Sequence, residues 1–258
     1  RVLSGYGQSG VTDHATGGAC IPEFLLQYEE SDWVFLRRLA SHFGTYLLAD
    51  ATDACGKVYF GIPEISYGTV LDRQDYTMEK DMLHYARVLE KEGVLSQEAS
   101  CWNVMVRFFL RMGETLTFNG IEAVVTAMRL HTEKGELVYS YVLARRAGIR
   151  REKEKNPGIF GMSIPATVME RSGNRIRVHF EIDPEYEASE KTKYFTYAIE
   201  SSSFYCMPEE GSQVHIYFPD HDEQGAVAVH AIRSGEGASG SCSTPENKRF
   251  SDPSGSAM

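Results

Sequence analysis

The residues with the chemistry to act on a substrate or an ion are few and scattered. Asp220-His221-Asp222-Glu223 sets four ligand-type side chains in succession. Neighbours on a turn point apart, so four in a row do not converge on one ion, and a solvated hairpin turn is expected. Asp183, Glu185, Glu187 and Glu190 follow a predicted strand. Paired carboxylates can do acid–base work, but no cleft-forming context surrounds these, and charge runs of this kind normally stay in water. The eight histidines include no HExxH, and the chain has no GxSxG and no P-loop lysine motif. His179 lies on the polar side of an alternating strand; His215 and His230 also fall within alternating strands, where rim or hydrogen-bonded histidines are the rule. Gly5, Gly7 and Gly10 in GYGQSG fit G-x-G-x-x-G. A dinucleotide site needs a strand before that motif and a helix after it. Only four residues precede it and VTDHATGG follows, so a flexible loop is expected. No catalytic, cofactor-binding or metal residue is assigned, and no cofactor is expected.

Composition narrows the classes further. The chain has 258 residues, 42% hydrophobic and 24% charged, with a formal net charge of -10. Nucleic-acid binders carry a basic footprint, so DNA and RNA are poor partners. The five cysteines, at 20, 55, 101, 206 and 242, are odd in number and widely spaced, without CxxC. They read as reduced thiols of a cytosol-made protein, and a disulfide framework or zinc site is not expected. No apolar run approaches the roughly 18 residues that suggest a membrane-spanning helix. Arg1-Val2-Leu3, followed by Gly and polar residues, does not read as a secretory leader. A start without Met and an unfinished-looking tail suggest a fragment of a longer protein.

The most sharply written element is QYEESDWVFLRRLASHFGTYLL, residues 27–48. Ser31 is a good N-cap and Asp32 an anion in the first turn, where the helix dipole favours it. At about 100° per residue, Trp33, Leu36, Leu39, Ala40 and Phe43 share one face. Arg37, Arg38 and Ser41 fall opposite, with Val34 among the polar residues of that outer face. His42 sits in the last turn and Gly44 is a natural stop. TYLLAD and KVYFGI then read as a hairpin. Residues 72–92 carry helical spacing, with a strand followed by a short helix as the alternative. From Trp102 onward the period is two. WNVMVRFFL is a strand, and TLTF and IEAVVTAMRL flank Asn119-Gly120, the strongest short hairpin signal. EKGE turns the chain into LVYSYVLAR, with Leu137, Tyr139, Tyr141 and Leu143 on one face.

Residues 145–158, RRAGIRREKEKNPG, are basic and closed by Pro-Gly. They read as a solvated linker at a domain boundary, with contact to an acidic neighbour as the alternative. SIPATVME, IRVHFEI, KYFTYAI, SQVHIYF and GAVAVHAI follow as five short strands, which suits a small closed barrel of OB type. In IRVHFEI, Ile176, Val178, Phe180 and Ile182 share one side. Residues 159–233 hold six Lys/Arg against twelve Asp/Glu, a local charge of -6. That balance offers no electrostatic funnel for a phosphate backbone.

Two passages carry a resemblance. ESDWVFLRRLASHFGTYLL resembles the helix–strand signature of the phage late-control D and VgrG-like hub proteins of contractile injection systems, with Glu30, Ser31, Asp32, Trp33, Phe35, Leu36, Arg38, Leu39 and Gly44 at the matching places. IPATVMERSGNRIRVHFEID, together with FYCMPEEGSQVHIYFPDHDEQGAVAVHAI, resembles the OB domain of baseplate spike proteins. The two motifs stand in the hub-then-OB order and cover roughly residues 22–233. ENKRFSDPSGSAM is similar to the lead into a spike or tip domain.

The resemblance implies a mainly β fold with a few helices. The expected layout is a hub (late-control D-like) β-barrel domain over 1–148 with helix 31–43, a linker over 149–158, an OB-fold domain over 159–233, and a lead over 234–258 into a missing spike or tip region. It implies a structural, non-enzymatic hub and spike component joining an inner tube to a piercing tip. The expected partners are two further copies in a homotrimer, the inner tube, other baseplate proteins and a tip or effector domain; no nucleic acid is expected, and the target membrane would be met only by the missing tip. Assembly is expected in the bacterial cytoplasm, then residence in a virion tail or secretion-particle baseplate. The alternative is a cell-wall hydrolase, or a glycan- or nucleic-acid-binding OB module, on the same scaffold.

Overall fold

A computed structural model describes residues 10–21, 23–50, 52, 56–183, 192–198 and 207–232. The GYGQSG loop before Gly10, Glu185, Glu187, Glu190 and the tail from Arg233 onward lie outside the described residues. The chain divides into two compact units. The first comprises Arg1–Pro22 and Glu29–Lys155; the second comprises Glu23–Tyr28 and Asn156–Met258. The sequence-based layout differs in two places. Six residues ahead of the helix belong to the second unit, and most of the expected linker belongs to the first.

In the first unit, β1 (Val11–Asp13), β2 (Leu47–Ala49) and β3 (Val58–Phe60) form a small sheet in the order β1-β3-β2. The helix α1 (Asp32–His42) packs on it through Leu36, Leu39, Ala40 and Phe43, against Leu47, Val58 and Phe60. Ser31 caps α1 by accepting from the Val34 N–H, and Gly44 ends it with φ +62°, a backbone conformation glycine adopts at no steric cost. Trp33 does not join the packed stripe and is 42% exposed.

The face of α1 expected to be polar and solvated is also partly buried. Arg38 is 2% exposed and Ser41 is buried. The Ser41 hydroxyl donates to the Arg38 carbonyl and accepts from the Glu154 N–H at 2.8 Å. The Arg151 N–H reaches the Gly44 carbonyl at 3.1 Å, and His42 Nε2 meets the Glu154 carbonyl at 3.2 Å. The residues expected to form a linker therefore run back over the helix. Val34 and Arg37 remain exposed.

The rest of the unit is a six-stranded sheet in the order β4-β7-β8-β9-β6-β5. Its strands are β4 (Ile65–Leu71), β5 (Tyr76–Lys80), β6 (Ser100–Val106), β7 (Glu114–Phe118), β8 (Ile121–Glu133) and β9 (Glu136–Ala144). Where the sequence suggests a hub-type barrel, these strands form a sheet with two end strands, β4 and β5. Residues 72–92 take the alternative reading: β5, then a short α2 (Met82–His84) continued as π-helix over Tyr85–Leu89. Asn119 (φ 46°) with Gly120 (φ 77°), and Lys134 (φ 49°) with Gly135 (φ 84°), are left-handed pairs, and each closes a tight hairpin. Trp102, Val104, Phe118, Val125, Tyr141 and Leu143 form the core on one face of the sheet.

In the second unit β10 (Ser163–Ser172), β11 (Arg175–Phe180), β12 (Tyr194–Tyr197), β13 (Gln213–Tyr217) and β14 (Val227–Ile232) close a barrel in the order β10-β11-β12-β14-β13. Ile176, Val178, Phe180, Phe195, Val214, Ile216 and Ala228 fill it. Ile182 falls beyond the end of β11 and is 47% exposed, so the inward stripe stops at Phe180. The fold class is mainly β with a few helices, as the resemblance implies.

Candidate assembly surface

The side chains with chemical potential are engaged in holding the structure. Asp220 and Asp222 accept from backbone N–H groups two residues on, a turn-forming pattern. Glu223 is buried beside them and His221 packs on Phe160. The turn expected to be fully solvated is thus half structural. Asp183 is exposed, and Gly10 has open space around it. His179 and His215 are half-buried in barrel strands, and His230 is exposed. Among the described residues no group of three or more His, Cys, Asp or Glu is placed to hold a metal ion, and no helix is long and apolar enough to cross a membrane.

One partly open site in the first unit combines interesting residue types. A mostly apolar cavity of about 290 Å³ is lined by Tyr46, Asp81, His84, Leu89, Cys101 and Ile149, among others. A Cys, a His and an Asp among the lining residues invite a nucleophile reading. The electrostatics oppose it. Burial pushes the Cys101 thiol up, and the carboxylates of Glu79 and Asp81 push it further. An attacking thiolate needs the opposite, an electropositive environment. Asp81 is also committed, since its carboxylate caps α2 by accepting from the His84 N–H at 2.9 Å.

The basic run is absorbed in the same way. Arg145 pairs with Glu98 at 3.3 Å and Arg150 with Glu92 at 3.0 Å. Arg146 donates to the Ile62 and Pro63 carbonyls and to the Thr115 hydroxyl. Arg151 lies over the Tyr46 ring and pairs with Glu154. Gly148 sits so close to the Glu98 carbonyl that an added Cβ would clash with its oxygen. These arginines knit residues 145–154 to their own unit.

Exposed apolar side chains occur on the central strands, as Met105, Leu130 and Leu137, and also on the two end strands of the six-stranded sheet. The end strand β5 shows Tyr76 and Met78, and Met82 and Leu83 follow it, all exposed. The other end strand, β4, shows Tyr67 and Val70, also exposed. The turn after β6 adds Phe108 and Phe109. Each end strand is paired on one side only in the sheet order. A strand edge bearing exposed apolar side chains is a template for pairing with another chain. Sequence reasoning found the strands but not which would be terminal, because strand order depends on long-range pairing. It also missed Asn156 as a buried anchor, and expected Arg38 on the solvated face.

No protein-family model matches the sequence, and no curated protein matches it. Among solved structures, the chain shares its fold with the Escherichia coli c3393 protein, a type VI secretion system component described as structurally similar to the bacteriophage T4 tail proteins gp27 and gp5. The TM-score is 0.55 at 15% identity, over 81% of this chain and 62% of that one. This chain therefore spans less than two thirds of the length of that structure.

Proposed function

We propose that the chain is a structural hub and spike component of a contractile injection apparatus, in a phage tail or a secretion particle. The observation that carries this is the extent of the fold likeness: 81% of the chain is more than either unit contributes alone, so the likeness runs through both. In this reading the β4 and β5 edges pair between protomers of a homotrimer, because closure of a ring removes exposed edges. The trimer joins the inner tube to the piercing tip. The closed barrel is an OB-type spike base that passes load to that tip. The work is assembly and force transmission without turnover, first in the bacterial cytoplasm and then in the finished particle.

Deleting the gene from its host tests the role. Sheathed particles are expected to disappear from electron micrographs and to return on complementation. A deletion strain with particles in normal number and shape rejects the proposal.

A further inference from the structure

The second unit contains a segment that the chain supplies from before α1. Residues 24–28 lie against the barrel, with Phe24, Leu26 and Tyr28 packed on its core. Their i, i+2, i+4 spacing is that of an extended chain showing one face. Phe24 stacks on Phe180 of β11 at 5.7 Å and meets Phe195 of β12 edge-on at 5.3 Å. Phe180 and Phe195 meet edge-on at 5.9 Å, which completes a three-ring cluster. Both ends of the segment are clamped by side-chain amides. Gln224 Nε2 donates to the Phe24 carbonyl at 2.8 Å, and the buried Asn156 donates to the Tyr28 carbonyl at 3.0 Å. Lys193 lies over both Phe24 and Phe195 and reaches the Gln224 side chain.

The location matters. Among the described residues, β12 pairs with β11 at three positions and with β14 at two, against six between β10 and β11. The rings meet where β11 and β12 adjoin. Immediately after Tyr28 the chain bends through Glu29, whose φ of 49° is uncommon for a residue with a side chain.

We infer that the barrel carries a docking groove for an extended apolar segment, and that residues 23–28 of this chain are its occupant, acting as a strap that closes the β11–β12–β14 seam. The groove selects an aromatic–x–aliphatic–x–aromatic pattern, held by two carboxamide donors to its main chain. This inference stands apart from the assembly role and survives its rejection.

Hydrogen exchange on the full chain tests it. Phe24→Ala is expected to speed exchange of the β11 and β12 amides about tenfold or more and leave those of β6, β8 and β9 unchanged. Leu25→Ala, one residue out of phase, is expected to change neither set. A synthetic peptide of residues 22–29, added in excess to the Phe24→Ala protein, restores protection in β11 and β12. If Phe24→Ala does not fold, Phe24→Leu keeps apolar bulk without the ring contacts and gives the same pattern at smaller amplitude. Unchanged β11 and β12 exchange in the folded variant, an equal rise in both units, or peptide without effect overturns the inference.

Discussion

Arg38 shows how one side chain can reverse the reading of a helix. It is aligned for solvent by its position on α1, yet it is 2% exposed and forms a bidentate pair with Glu30, with the closest approach at 2.6 Å. Buried charges are costly unless paired, and removing one partner strands the other. Arg38→Ala is expected to lower the stability of the first unit by about 3 kcal/mol. Replacing both residues by apolar ones, Arg38→Met with Glu30→Leu, is expected to recover most of that loss; calorimetry of both variants measures it. Asp13 offers a residue-scale pH prediction. Its carboxylate accepts from the Thr16 hydroxyl, the largest influence, and from the backbone N–H groups of Thr16, Ala15 and Gly18, which hold its pKa well below the carboxylate range. The folded value is depressed, so the turn's support is present above the ordinary carboxylate pKa of about 3.9. It is lost only as pH falls through the lower folded value. Carboxyl NMR of Asp13 is expected to show a midpoint below that of a model peptide, and Thr16→Val is expected to raise it.

At the scale of elements, the structure depends on close backbone approaches as much as on apolar faces. The short 3₁₀ turn at Arg146–Gly148 lies against the Glu98 carbonyl, and Arg145 and Arg146 just before the approach are tied down by polar bonds. Gly148→Ala forces that contact open. It is expected to cost about 2–3 kcal/mol, as overpacking of a filled site does. Gly10→Ala, with nothing within 4 Å of the added Cβ and no left-handed φ, is expected to change stability by less than about 0.5 kcal/mol. Thermal unfolding of the pair compares them directly. Equal melting temperatures would show that the 145–154 run is the loose linker its composition suggests. That composition was legible in the sequence. The acceptors at Glu98, Glu92, Ile62 and Pro63 were not, because they lie far away along the chain.

For the whole molecule, the proposed trimer is tested at the end strands of the six-stranded sheet. Met78 is 63% exposed on β5, so Met78→Lys removes little from the folded monomer. A lysine on an edge strand blocks pairing with another chain. Light scattering of the chain at high concentration is expected to give a three-copy mass, and the variant a one-copy mass with an unchanged melting temperature. A variant that still forms trimers would move the interface away from β5. The net charge of -10 adds a long-range term: like-charged copies repel, so association is expected to strengthen with salt as that repulsion is screened.

The sequence by itself determined what depends on near neighbours. Asn119-Gly120 and Lys134-Gly135 fix tight turns because their backbones accept positive φ. Ser31 and Gly44 bound α1 through local hydrogen bonding and glycine's freedom. The five barrel strands follow from period-two alternation. Only the tertiary structure decided what depends on distant partners: which strands end the six-stranded sheet, that Ser41 is buried against Glu154, and that Phe24 belongs to the barrel and not to the helix it precedes. A pattern of apolar spacing says that a face will be covered. It carries no address for the segment that covers it, because burial rewards apolar contact whatever its distance along the chain.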